Sequence, residues 1–515
     1  MNGAESLVRT LIAGGIDTCF TNPGTSEMHI VAALDRAKEI RCVLGLFEGV
    51  VTGAADGYAR MSRKTACTLL HLGPGLANGT ANMHNASRAR VPLVNIVGQH
   101  PSYHLRHDAP LNSDIEAIAR PYSKWLRTSC SARDLGRDCA EAIAAAGIVP
   151  GQISTLVVPA DVAWTEGGAI AEVPAARPGA LASTDSVDRA ALMLQRDHPT
   201  ALLLAGDALY GEGLKLAGRI ALATGAKLLA PYPITRVQRG AGIPAVHRIP
   251  YVPEQATEFL KEIRQLILVG TSVPVSYFAY PGRSSVLTSG DCETHTLANP
   301  GEDYIGTLDA LVSALSIEDG LVEPVAKVER PSPPVGEITL QGVAAALGLL
   351  LPVNAIVVDE AMTSGRGLMA ATKEAAPHDW LANTGGSIGV ALPLAVGAAI
   401  ACPNQRVLCL TADGSAMYTL QALWTMARES LKVTTVVFAN HAYAVLKHEF
   451  SGLGVGAPGP RAADLFDIGR PDLDWVLLGK GMGVPSNRVT SLEEFSKCLR
   501  EGFASDGPRL IEVLV

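Results

Sequence analysis

A chain of 515 residues is too long for one hydrophobic core and predicts two or three domains. Hydrophobic residues make up 48% and charged residues 18%, the profile of a large soluble protein with an extensive interior. A net charge of −8, with no block of lysine and arginine, argues against nucleic acid and anionic membranes as partners.

The nine cysteines are scattered without a Cys-x-x-Cys pair, which fits reduced thiols in a cytoplasmic protein. The N-terminus lacks the basic start and apolar core of a signal peptide. Residues 381–405 carry no charge, but the apolar part, 388–402, is shorter than a bilayer requires and contains Gly389, Pro393 and Gly397. A buried helix is expected there.

In chain order, Ala4, Leu7, Val8, Leu11 and Ile12 have helical spacing, with Asn2 and Glu5 as a capping box and Gly14-Gly15 as the stop. A strand over 16–20 leads into the turn Asn22-Pro-Gly-Thr25 and a helix to residue 37. A second strand, 40–47, ends at Glu48 before a helix over 49–61. A third, 66–70, ends at His71 before a loop at Gly73-Pro-Gly75 and another helix; a fourth spans 91–97. Alternation of this kind implies right-handed parallel crossovers. Thr25, Glu48 and His71 follow at intervals of 23 residues, each just past a strand's carboxyl end, so a doubly wound sheet gathers them on its ligand-binding edge.

Residues 164–186 and 323–334 read as linkers rich in Gly, Ala, Pro and Ser or in Pro. Between them, strands are expected over 201–205 and near 227–229 and 266–270. Gly206, Gly211 and Gly213 do not form the dinucleotide fingerprint. A third unit begins with a helix over 340–350 and a strand over 355–358. It contains Leu408-Cys-Leu-Thr-Ala-Asp413-Gly-Ser and, after a helix, Phe438-Ala-Asn440. Read as strand, acidic turn, helix, strand, amide, this sets a carboxylate and an amide oxygen side by side. Those are hard ligands for Mg²⁺ or Ca²⁺, and the Gly-Ser amides can receive a phosphate.

Taken singly, these residues are weak signals. Glu48 also suits an ordinary helix start, favoured by the dipole. His71 is as readily structural as catalytic. His100, His104 and His107 lack zinc-type spacing and read as a surface loop.

Jointly, Asn22-Pro-Gly-Thr25, Glu48 with Ala54-Ala-Asp-Gly-Tyr-Ala-Arg60, Gly73-Pro-Gly with Asn78, Gly386-Ser-Ile-Gly-Val-Ala-Leu-Pro393 and the Asp413/Asn440 pair resemble the thiamine-diphosphate-dependent 2-oxo acid enzymes. These include acetolactate synthases and benzoylformate and pyruvate decarboxylases. The likeness spans nearly the whole chain. It implies an α/β fold of three doubly wound parallel-sheet domains: pyrimidine-binding (1–165), central (186–322) and diphosphate-binding (338–515).

The resemblance also implies roles. Glu48 would bond the pyrimidine nitrogen and drive the ring to its imino form, and Ile388 would prop the cofactor in a bent shape. The Gly386 carbonyl would receive the amino group. Asp413, Asn440 and the backbone oxygen of Ala442 would hold Mg²⁺, with Gly414, Ser415, Thr363 and Ser364 at the diphosphate. Pro23, Asn78 and Tyr443 complete the cofactor contacts, and Thr25 and His71 match the substrate-binding serine and a histidine of benzoylformate decarboxylase.

Each family site joins two chains, so a homodimer is the minimum and a homotetramer the usual state. The implied activity is decarboxylation of a small 2-oxo acid through a cofactor-bound carbanion, releasing an aldehyde. The alternative is acetolactate synthase-like ligation to a second carbonyl compound; a noncatalytic cofactor-binding subunit is more remote.

Some positions depart from the pattern. Ala412-Asp-Gly replaces Gly-Asp-Gly and Ala439-Asn440 replaces Asn-Asn, both sparing the metal ligands. The second active-site histidine of benzoylformate decarboxylase falls near 277–280, where Tyr277 and Tyr280 stand and no histidine is present. The adjacent histidines of pyruvate decarboxylases are missing too, and the central unit shows no flavin signature, which argues against FAD. A glycine-rich loop from Lys447 to Gly459 is expected to cover the site.

Overall fold

Asn2 caps the helix Gly3–Ala13 as its sequence predicts: the Glu5 amide donates to Asn2 Oδ1 at 2.9 Å, and the Asn2 amide donates to Glu5 Oε2 at 3.3 Å. The computed structural model describes residues 1–176, 178–318 and 332–515, so the linker expected at 323–334 falls mostly outside the described residues. Three α/β units follow, each built on its own sheet.

The first sheet runs, in space, Arg41–Leu44, Thr18–Asn22, Ala66–Leu70, Leu93–Gln99, Ile153–Pro159, Trp125–Thr128, with every pair parallel. Chain order reverses about Thr18–Asn22, and such a switch point opens a crevice at the carboxyl edge. Thr25, Glu48 and His71 all follow strands that meet there. One expectation is corrected: Gly73-Pro-Gly75 is not a loop but the first turn of the helix Leu72–Ala89. Pro74 is tolerated because an N–H in the first turn has no intrahelical partner.

The middle sheet is parallel, in the order His247–Arg248, Lys227–Ala230, Thr200–Leu204, Gln265–Val269, Glu293–Ala298. The linker expected at 164–186 overlaps the end of the helix Ala160–Trp164 and the first turn of the helix Thr184–Leu194, which Ser183 caps.

The third sheet runs Ser486–Val489, Arg509–Leu514, Val433–Ala439, Val407–Ala412, Ala355–Glu360, His378–Ala382, all parallel, and ends in Val237–Arg239, which pairs antiparallel with His378–Ala382. That last strand comes from the middle of the chain. Sheet membership therefore crosses the order of units that chain position suggests.

The expected buried helix is Ala391–Ala401, buried from residue 391 to 400 and apolar on all sides. It crosses the helix Glu48–Ser62 so closely that a Cβ on Gly397 would overlap the Ala54 carbonyl. One apolar cluster runs from Val50, Ala54 and Leu70 into Leu392, Leu394 and Val437, so the first and third units share a core. Among the described residues, no helix is long and apolar enough to cross a membrane.

Candidate active site

Glu48 opens its helix directly after the extended Phe47 and is buried. Asn22, at the end of its strand, donates to Glu48 Oε1 at 3.1 Å, and Asn78 donates to Oε2 at 2.9 Å. A strand end, the first residue of one helix and the second turn of the next thus deliver one carboxylate and two amides to a single point. His71 occupies the cap position of the next helix and flanks the same residue, Gly75. A Cβ there would lie 3.2 Å from Glu48 Oε1 and 3.3 Å from His71 Cβ.

Sequence reasoning missed the partner of His71. Glu27 Oε2 lies 2.7 Å from His71 Nδ1 and accepts the Gly24 amide at 2.9 Å. Glu27 is fully buried and its Oε1 has no partner. Burial raises its pKa, and attraction to His71 opposes the rise. The available signal was its place three residues after Gly24, where a glutamate closes a helix start. Thr25 is exposed on the same short turn, Thr25–Glu27, with Pro23 just before it.

His100, His104 and His107 meet edge-on and tilted, at centroid distances of 5.4 and 5.7 Å, with His107 exposed. Among the described residues, no cluster of three His, Cys, Asp or Glu is arranged to hold a metal.

In the third unit, parallel pairing of Ala412 with Phe438 sets the two predicted turns side by side. Asp413 is buried; its Oδ1 accepts the Gly414 amide at 2.8 Å and its Oδ2 the His441 amide at 2.7 Å, tying one turn to the other. Burial raises the Asp413 pKa and these amides hold it down. Asn440 Oδ1 accepts the Ala442 amide at 3.0 Å. Ser415 is buried in the one-turn helix Asp413–Ala416, and the Tyr443 ring packs against Gly414.

Thr363 and Ser364 occupy the turn Met362–Gly365 just beyond the strand Ala355–Glu360, which pairs with Val407–Ala412. The loop carrying Gly386 and Ile388 leaves the neighbouring strand at the same edge. Gly386 has φ +82° and donates its amide to Asn383 Oδ1 at 2.8 Å, while Asn85 of the first unit donates to the Ser387 carbonyl at 2.8 Å.

Glu360 was also missed. It accepts the amides of Gly389 and Ala391 at 3.1 Å and the Asn383 side chain at 2.9 Å, which fixes the loop from below. Burial pushes its pKa up to about 7 against these donors. The segment after Tyr443, expected as a loop, begins as the helix Ala444–Gly452. Its glycines lie late enough that Ala444 to Phe450 can complete two turns.

Residues 1–118 match the family model for the N-terminal binding domain of thiamine pyrophosphate enzymes, and residues 364–513 match the C-terminal one. Over 518 aligned residues the chain is 52% identical to IlvX of Mycobacterium tuberculosis, provisionally named an acetolactate synthase large subunit, covering 100% of this chain and 99% of that protein. The chain belongs to the thiamine pyrophosphate enzymes.

Within that family it is 28% identical to the benzoylformate decarboxylase of Pseudomonas aeruginosa, over 97% of this chain and 96% of the relative. The fold matches a 4-hydroxybenzoylformate decarboxylase from Rhodococcus jostii at a TM-score of 0.87 and 24% identity, covering 100% and 99% of the two chains. As a thiamine pyrophosphate enzyme it falls in the decarboxylase and acetolactate synthase-like class. Pro23, Thr25, Glu48, His71 and Asn78 lie in the N-terminal match, and Ser364 to Tyr443 in the C-terminal one.

Proposed function

We propose that this enzyme binds thiamine diphosphate with Mg²⁺ and removes carbon dioxide from a small 2-oxo acid, releasing an aldehyde. The observation that carries the reading is Glu48: a buried carboxylate, held through both oxygens, beside a Glu27–His71 pair. A passive binding subunit has no use for such a group. The anchor chemistry fits the cofactor, since a buried carboxylate and an amide oxygen at adjacent strand ends are hard donors.

Asp413, Asn440 and the Ala442 carbonyl would hold the metal, Mg²⁺ or Ca²⁺, with Gly414, Ser415, Thr363 and Ser364 at the diphosphate. Pro23, Asn78, Gly386, Ile388 and Tyr443 would contact the remainder. When bound, thiamine diphosphate supplies the nucleophilic carbon and the electron sink that decarboxylation requires.

Glu48, held by Asn22 and Asn78, would face the pyrimidine nitrogen and hold or release the proton there. Glu27 holds Nδ1–H of His71, leaving Nε2 to move a proton at the substrate. Thr25 donates its hydroxyl to the substrate carboxylate. The two chemical halves come from different copies in a homodimer, the minimum assembly, with a homotetramer the expected state. All nine cysteines are unbonded, which supports a reducing, cytoplasmic setting.

The 52% identity to IlvX favours one second reading, ligation of the decarboxylated fragment to another carbonyl compound. Incubation with benzoylformate and with pyruvate, followed by product analysis, separates the two: aldehyde supports decarboxylation and acetolactate supports ligation. No loss of carbon dioxide from either acid or close analogues rejects the proposal.

A further inference from the structure

Tyr277 lies in an irregular segment between the middle-sheet strands Gln265–Val269 and Glu293–Ala298; the residue is 37% exposed, and its ring packs against three other aromatic rings. Phe278 packs against it at 5.6 Å between centroids, Tyr251 at 5.5 Å and Tyr232 at 6.1 Å. The hydroxyl end leaves these rings at the Gly386 loop, where a Cβ on Gly386 would lie 2.6 Å from Oη and 3.0 Å from Cε1.

Two neighbouring tyrosines are already committed. Tyr251 and Tyr280 donate their hydroxyls to Glu449 Oε1 and Oε2 at 3.1 and 2.8 Å, which clamps the helix Ala444–Gly452 to the middle unit. Tyr277 takes no part in that clamp, and its hydroxyl has no hydrogen-bond partner among the described residues. Burial raises its pKa, so it stays an O–H donor at neutral pH.

We infer that Tyr277 is a substrate-contacting residue, whose O–H donates to the carboxylate or ketone oxygen of the 2-oxo acid beside Gly386. The inference rests on the decarboxylase reading for the place of the reacting carbon. Its chemistry is direct: both head groups of a 2-oxo acid present only acceptors, and a tyrosine hydroxyl with no partner of its own, on a ring held by three aromatic neighbours, is a donor already aimed at them. It supplies from the middle unit a donor that Thr25 and His71 of the first unit do not duplicate.

The test compares wild type and Tyr277→Phe as holoenzymes with thiamine diphosphate and Mg²⁺. Mandelate and lactate, the unreactive 2-hydroxy analogues of benzoylformate and pyruvate, are titrated by calorimetry, and kcat/KM is measured for the two oxo acids. Loss of one hydrogen bond to a charged acceptor predicts about tenfold weaker binding of the better analogue, with a matching fall in kcat/KM. Cofactor affinity should hold within about twofold, because the ring that packs is kept.

Equal analogue affinity in both proteins, or none in either, overturns the inference. So does a parallel loss of cofactor affinity, which marks a structural role. If the analogue binds with the predicted dependence but no carbon dioxide is released, the decarboxylase reading fails and the inference stands.

Discussion

Glu48 is held by amide donors from two different elements, so its carboxylate is positioned before any ligand arrives. Glu48→Gln keeps shape and burial but cannot pass a proton. Thiamine diphosphate affinity should change little, while exchange of the thiazolium C2 proton slows by roughly 10²- to 10⁴-fold, read by NMR in deuterated buffer. An unchanged exchange rate would reject the assigned role.

Glu360 makes a separate prediction, for stability. Its pKa rises in the folded chain from an ordinary 4.5 to about 7, so the folded state holds its proton more tightly than the unfolded. The stabilisation is therefore complete below about pH 4.5 and is lost as pH rises to about 7. Across that window the contribution is on the order of 3 kcal/mol. Denaturant unfolding at several pH values should show this decline, and Glu360→Gln should flatten it. An equal slope in both proteins would assign the dependence elsewhere.

Two helices, Glu48–Ser62 and Ala391–Ala401, carry the contact between the first and third units. Their backbones meet where Gly397 lacks a side chain. Gly397→Ala must part them, and such overpacking costs about 1–3 kcal/mol, measurable as a lower unfolding midpoint. A midpoint at or above wild type would mean that the crossing relaxes freely.

Beside the crossing, Arg60 is buried with Asp56 and also donates to the Ala382 and Thr235 carbonyls at 2.8 and 3.2 Å. One guanidinium thus reaches the first helix pair, the third sheet and the segment leading to Val237–Arg239. The run Ala54-Ala-Asp-Gly-Tyr-Ala-Arg60 was legible as a motif. That its charge is an inter-unit tie was not, because every partner beyond Asp56 lies more than a hundred residues away.

At the scale of the whole molecule, Glu48 and Asp413 belong to different sheets, and the proposed site takes one from each of two copies. Coexpression of Glu48→Gln with Asp413→Ala tests this. In a mixed dimer, one site carries both defects and the other carries none. Random pairing should restore about a quarter of wild-type activity to two individually inactive variants. No recovery in a purified mixed dimer would place the site within one chain.

By itself, the amino-acid sequence determined the alternating α/β style, the strand ends that present Glu48, His71, Asp413 and Asn440, and the buried apolar helix near residue 391. Each depends on local pattern: apolar runs, turn residues just past them, and the period of the helix between. Only the tertiary structure decided that Glu27 braces His71, that Glu360 grips the Gly386 loop, that Tyr277 reaches that loop from another unit, and that Val237–Arg239 edges the third sheet. These contacts join segments whose meeting depends on how whole sheets and helices pack, and no periodicity within a short window encodes that distance.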